Sequence, residues 1–84
     1  MRTEMVVHLS PGEHALIESI IEHVYPDPTA GRTLPIEQGE GRAASGLARK
    51  GIVTIEGEAD DRSMTFTALG EAVYNQCRGD RAPW

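Results

Sequence analysis

Two short alternating segments place the strongest constraint on how this chain folds. Within residues 52–56 and 64–67 every second side chain is apolar, so that one side of each segment can face a core. Gly51 comes just before the first segment, and Thr67 ends the second in a position suited to a helix N-cap. The pattern predicts a β-hairpin between two helices. Its buried face is expected to carry Val53, Ile55, Met64 and Phe66.

A capping box near the N-terminus predicts the start of the first helix. Ser10 takes the N-cap position, Pro11 the N1 position and Glu13 the N3 position, the arrangement in which side chain and backbone satisfy each other at a helix start. Apolar residues then recur at helical spacing, namely Ile17, Ile20, Ile21 and Val24. The helix is expected to end near Tyr25, because prolines follow, and residues 27–35 are predicted to form a loop.

Two further helices flank the predicted hairpin. One should run from Ile36 or Glu40 to Lys50, with Gly51 as its stop, and it carries a narrow stripe of small residues suited to close packing on the first helix. The last should run from the Thr67 cap to about Arg78, with Gly79 ending it.

An 84-residue chain has room for one domain. The sequence predicts an α+β domain over residues 1–79, with three helices and a hairpin, followed by a C-terminal tail at 80–84. Whether residues 5–9 add a third strand is left open, although a lone two-stranded hairpin would be marginal.

The second half resembles the MarR-type winged-helix regulators. The resemblance rests on three pieces that occur in the family's order: Leu47-Ala48-Arg49-Lys50-Gly51-Ile52-Val53, then Asp60-Asp61-Arg62-Ser63, then Phe66-Thr67-Ala68-Leu69-Gly70-Glu71-Ala72. It implies a winged-helix domain in which residues 42–50 end a recognition helix and the hairpin is the wing. The long helices through which that family dimerises have no counterpart here.

The resemblance implies a small DNA-binding or transcription-accessory protein that acts by non-covalent recognition. The helix would enter a major groove and Arg62 would reach a minor groove, with Asp60 forming a wing salt bridge that orients it. The expected contacts to double-stranded DNA are Arg42, Ser45, Arg49, Lys50 and Arg62. A homodimer is left open.

The charge of the chain supports a different class of function. The formal net charge is −5, whereas a protein that grips phosphates over its whole surface needs clustered bases. The alternative is an acidic module that binds a basic protein partner, such as a phage or mobile-element inhibitor that imitates DNA. Its expected contact residues are Glu13, Glu18, Glu22 and Asp27.

Other classes find little support in the residues. No phosphate loop, nucleophile elbow or dinucleotide fingerprint occurs, so we expect neither an enzyme nor a cofactor. His14 and His23 lie nine residues apart, which is not the spacing of a helical ligand pair, so no metal site is expected. A single cysteine, Cys77, and the lack of a long apolar run predict a cytoplasmic protein with a buried thiol and no membrane contact.

Overall fold

The protein is a small α+β domain. A computed structural model describes residues 8–58 and 61–81, with side chains described as far as Gly79. Along the chain it contains three helices and three strands, which are α1 (Pro11–His23), β1 (Thr33–Pro35), α2 (Gly41–Arg49), β2 (Val53–Glu56), β3 (Ser63–Phe66) and α3 (Ala68–Arg81).

The three strands form one antiparallel sheet in the order β1-β3-β2. The predicted hairpin is confirmed, with Val53 opposite Phe66 and Ile55 opposite Met64. Of the four residues expected on its buried face, Ile55 is only half-buried. Leu34 of β1 lies opposite Met64 on the other side of β3. One face of the sheet is therefore apolar across its width. The three helices pack against this face and enclose the core.

The core combines that apolar face with one side of each helix. Helix α1 contributes Leu16, Ile17, Ile20 and Ile21, helix α2 contributes Ala44 and Leu47, and helix α3 contributes Val73, Tyr74 and Cys77. The buried thiol expected at Cys77 is confirmed. The rings of Phe66 and Tyr74 meet edge to face with their centroids 6.0 Å apart, which joins the sheet to α3.

The capping box at the start of α1 is confirmed in both directions. The backbone N–H of Glu13 donates to the Ser10 hydroxyl at 3.2 Å, and the backbone N–H of Ser10 donates to the Glu13 carboxylate at 2.9 Å. The cap at the start of α3 is also present, because the Thr67 hydroxyl accepts the Gly70 N–H at 3.0 Å.

Helix α3 also depends on a close approach at Gly70. A Cβ there would lie 2.0 Å from the carbonyl oxygen of Ile52, so only glycine lets the helix start so near the end of the α2–β2 connection. The next residue, Glu71, also has a structural role, because its carboxylate accepts the Ala30 N–H at 2.9 Å. Thr67, Gly70 and Glu71 therefore each help to position the start of α3.

The loop expected at residues 27–35 is the main error in the predicted elements. Its second part forms β1, which supplies the third strand of the sheet. Leu34 is the only long aliphatic side chain in this stretch, and it is buried in the core. The N-terminal stretch proposed for that role lies outside the described residues at 5–7, and His8 and Leu9 belong to no strand.

Two helix boundaries also differ from expectation. Helix α2 begins at Gly41, and residues 36–40 form no helix, so only one helix lies between β1 and β2. Helix α3 continues through Gly79 to Arg81 instead of ending at Gly79. The helices, hairpin and extra strand are compatible with a small winged-helix-like fold.

Candidate nucleic-acid interface on helix α2

Helix α2 has one side in the core and one side exposed. Ala44 and Leu47 are fully buried, whereas Arg42 and Arg49 are exposed and Ser45 is half-buried. Positions three and seven residues apart fall on neighbouring parts of a helix surface. Three of the five expected DNA contacts therefore share one side of α2.

Arg62 joins this group from the sheet. It lies directly before β3, and its main-chain carbonyl accepts the N–H of Ile36 at 3.0 Å. A Cβ added at Gly41 would lie 2.8 Å from Nη2 of Arg62, so the guanidinium rests against the first residue of α2. Its expected wing partner, Asp60, lies outside the described residues.

The three arginines have no ionic partner within the described part of the chain. The ion pairs found there join Lys50 to Glu13 and Arg78 to Asp27, and the His14 ring lies 3.7 Å from the Glu18 carboxylate. Within that part of the chain, no ion pair neutralises Arg42, Arg49 or Arg62.

Lys50 lies in a different environment from the other expected DNA contacts. Its Nζ donates to Oε1 of Glu13 at 2.5 Å and to the main-chain oxygen of His8 at 2.6 Å. The ammonium group therefore joins the end of α2 to the start of α1. From the sequence, Glu13 was expected to cap α1 and to belong to an acidic surface, and no local signal connects two residues that lie 37 apart.

Glu13 is the buried carboxylate of this contact, with only 6% of its surface exposed. Burial alone raises the pKa of the Glu13 carboxyl, but hydrogen bonds from Lys50 and Ser10 together with the Lys50 charge outweigh it, so the pKa lies below its ordinary value. Glu13 also fills space above Gly46, where a Cβ would come within 2.0 Å of Oε2. The carboxylate thus remains ionised inside the α1–α2 contact.

The expected acidic surface is divided by the fold. Glu13 does not belong to an exposed face, because it is buried against α2. Glu18 is half-buried and Glu22 is exposed on α1. Asp27 accepts a hydrogen bond from the Tyr74 hydroxyl at 2.9 Å and pairs with Arg78 at 3.0 Å, so it helps to fasten the α1–β1 connection to α3.

This second contact leaves a buried phenol next to a carboxylate. Burial, followed by the hydrogen bond to Asp27 and its negative charge, raises the pKa of Tyr74 to about 12. Tyr74 therefore acts as a neutral hydrogen-bond donor. No sequence pattern identifies Tyr74 for this role.

In the described residues no three His, Cys, Asp or Glu side chains come together as metal ligands would. No described helix combines the length and apolar character needed to cross a bilayer.

Comparisons of the chain with protein-family models, with curated proteins and with solved structures return no match. The class is therefore defined by the structure itself: a small α+β domain compatible with a winged-helix-like fold. Three arginines at and beside its second helix have no ion-pair partner among residues 8–58 and 61–79.

Proposed function

We propose that this protein is a small winged-helix-like DNA-binding or transcription-accessory protein that acts by non-covalent recognition. The observation that supports it is the grouping of Arg42, Arg49 and Arg62 at α2 without a carboxylate partner among the described residues. Planar guanidinium groups that keep their donors free are suited to phosphate oxygens and base edges. Ser45 lies between the two helical arginines and supplies a hydroxyl.

The energetic expectation for this interface is modest. Each neutralised phosphate contributes roughly −0.9 to the slope of log affinity against log salt concentration, so three arginines predict a slope of roughly −3 for one protein molecule. Lys50 is not expected to add to this slope, because its ammonium group is held by Glu13. A homodimer would present two such surfaces and bind more tightly.

The test is fluorescence anisotropy of a random-sequence duplex across a salt series, with the protein's mass measured by light scattering. Removing Arg42, Arg49 or Arg62 one at a time, each to Ala, should weaken binding and reduce the salt slope by roughly 1. A matched control is Arg32→Ala. Arg32 precedes β1 beside Phe66 at the opposite end of the sheet from Arg62, and its loss should leave the affinity nearly unchanged.

Equal loss in all four variants would indicate a general charge effect and contradict an interface on α2. A complete lack of binding at low salt would reject DNA as the ligand. It would favour the second candidate, an acidic module for a basic protein partner.

That second candidate is favoured by the charge balance around α1. The protein carries a net charge of −5, and the Lys50 ammonium group is paired with Glu13 within the fold. Within the expected acidic set, Glu18 and Glu22 both lie on α1, where Glu18 is half-buried and Glu22 is exposed. Reversing both to Lys should abolish capture of a basic partner if this surface is used, and unchanged capture would exclude it.

A further inference from the structure

A groove of about 690 Å³ separates α1 from α2 on the outside of the molecule. Its walls include Gly12, Ala15 and Leu16 from α1 and Ala43 from α2, and Arg42 and Arg49 lie along it. Leu16 is buried and Ala43 is half-buried, whereas both arginines are exposed. The groove therefore has an apolar floor with two cations beside it.

The groove exists because the two helices face each other there with small side chains. A Cβ built on Gly12 would meet no atom within 4 Å, and Ala15 adds only a methyl group. Next to this opening, the helices are held at a fixed separation by the contact of Glu13 with Lys50 and Gly46. The opening is thus a consequence of how α1 packs on α2.

The charges along the groove favour an anion. Two carboxylates line it, and both are already engaged: Glu13 is neutralised by Lys50, and Oε1 of Glu40 accepts the backbone N–H of Glu37 at 2.9 Å. Arg42 and Arg49 form no ion pair with any described carboxylate. Counting Lys50 with its partner, three cations stand against two anions here.

We propose that this groove binds an acidic amphipathic helix of a partner protein. Such a helix would place small or medium apolar side chains on the floor and carboxylates against the two arginines. Arg42 and Arg49 lie seven residues apart on α2, about 10 Å along the axis at ~1.5 Å per residue. Two carboxylates spaced by two turns on the partner helix match that separation.

An apolar floor distinguishes this ligand from DNA. A phosphate backbone can pair with Arg42 and Arg49 but has no apolar side chain to fill the space beside Leu16 and Ala43. The proposed peptide and the proposed DNA ligand share the arginines only. This inference therefore goes beyond the proposed function and can be tested apart from it.

The test uses a displayed library of random peptides, selected on the full chain and then measured by anisotropy. The enriched peptides should be acidic and amphipathic. They should bind Ala15→Trp at least about ten-fold more weakly, because losing one well-packed apolar contact is worth about 1.4 kcal/mol. Ala15 is exposed, so the indole fills the groove without entering the core.

The matched control is Ala72→Trp, which adds the same side chain at an exposed position of α3 and should leave peptide binding unchanged. No enrichment, enrichment of basic peptides, or equal binding to the Ala15→Trp variant would each overturn the proposal.

DNA binding separates this proposal from the preceding one. The Ala15→Trp variant keeps every arginine, so its DNA affinity should equal that of the wild type, while Arg42→Ala with Arg49→Ala should weaken both ligands. Peptide selection succeeding without DNA binding would leave the groove assigned and the DNA interface rejected. DNA binding without peptide selection would give the reverse result.

Discussion

The cations of helix α2 have two different roles. Lys50 lies on the side that faces α1, where Glu13 and the His8 carbonyl hold its ammonium group. Arg42 and Arg49 lie outside this contact, along the open groove between the same two helices, and have no ionic partner among the described residues. The difference shows that a basic stretch in a sequence can combine a structural ion pair with charges available to a ligand. Only the packing of the neighbouring helix separates the two.

The largest effect is expected from removing the structural cation. Lys50→Met leaves the buried Glu13 carboxylate without its partner and should lower the free energy of unfolding by about 2 kcal/mol. Arg49→Met is the matched control, since the same change at the neighbouring exposed position should stay within about 0.5 kcal/mol. Urea unfolding of both variants measures this. Similar losses in the two would remove the distinction between the two sides of α2.

A slightly smaller loss is expected at Gly46. An alanine usually stabilises a helix interior relative to glycine by up to about 1 kcal/mol. Here its Cβ would collide with the Glu13 carboxylate, which Ser10 and Lys50 hold in place. We expect Gly46→Ala to destabilise the protein by about 1–2 kcal/mol.

Gly12→Ala is the matched comparison, and it is not expected to destabilise the protein. Gly12 is also helical, and its Cβ would meet nothing within 4 Å, so this variant should be equally or more stable than the wild type. Thermal unfolding of the pair makes the comparison. A stabilised Gly46→Ala variant would show that Glu13 is free to move away.

Acid should weaken the contact between α1 and α2 by protonating Glu13. Its pKa in the folded protein is below the ordinary value of 4.5, so its contribution to stability is complete above about pH 4.5 and is lost as the pH falls through the folded-state pKa. The Glu13→Gln variant should lack this part of the acid dependence. Chemical unfolding at a series of pH values compares the two proteins, and parallel curves would contradict an ionised, paired Glu13.

The smallest effect on stability is expected from the two arginines along the groove. Replacing Arg42 and Arg49 together by Ala removes two exposed charges without a partner among the described residues, so the free energy of unfolding should change by less than about 0.5 kcal/mol. Urea unfolding provides the measurement. A larger loss would show that these arginines also belong to the structural contact.

Much of the second half of the fold could be predicted because its signals are local. The strand alternation predicted the hairpin and its inward-facing residues, and the Thr67 cap marked the start of α3. The close approach at Gly70 and the Glu71 contact explain why a threonine-glycine-glutamate pattern suits this layout.

The first half depends on contacts between distant residues, which local patterns do not reveal. Strand β1 is three residues long and contains a proline, so it had no visible strand signal, and pairing with β3 creates it. The ion pair of Lys50 with Glu13 likewise joins two positions that each had a sufficient local explanation as helix-terminal residues. Arg42 and Arg49 share one side of α2 in the structure, but sequence alone provided no reason to set Lys50 apart from them.

The short outer strands also affect how this sheet meets other chains. Pro35 on β1 and Glu56 on β2 both lie level with Ser63 of the central strand. A strand arriving at one edge would find a residue without an N–H, and a strand arriving at the other would meet an exposed charge. Both edges are interrupted at the same end of the sheet. The arrangement disfavours growth of the sheet by strand addition, and so protects a very small domain against edge-to-edge aggregation.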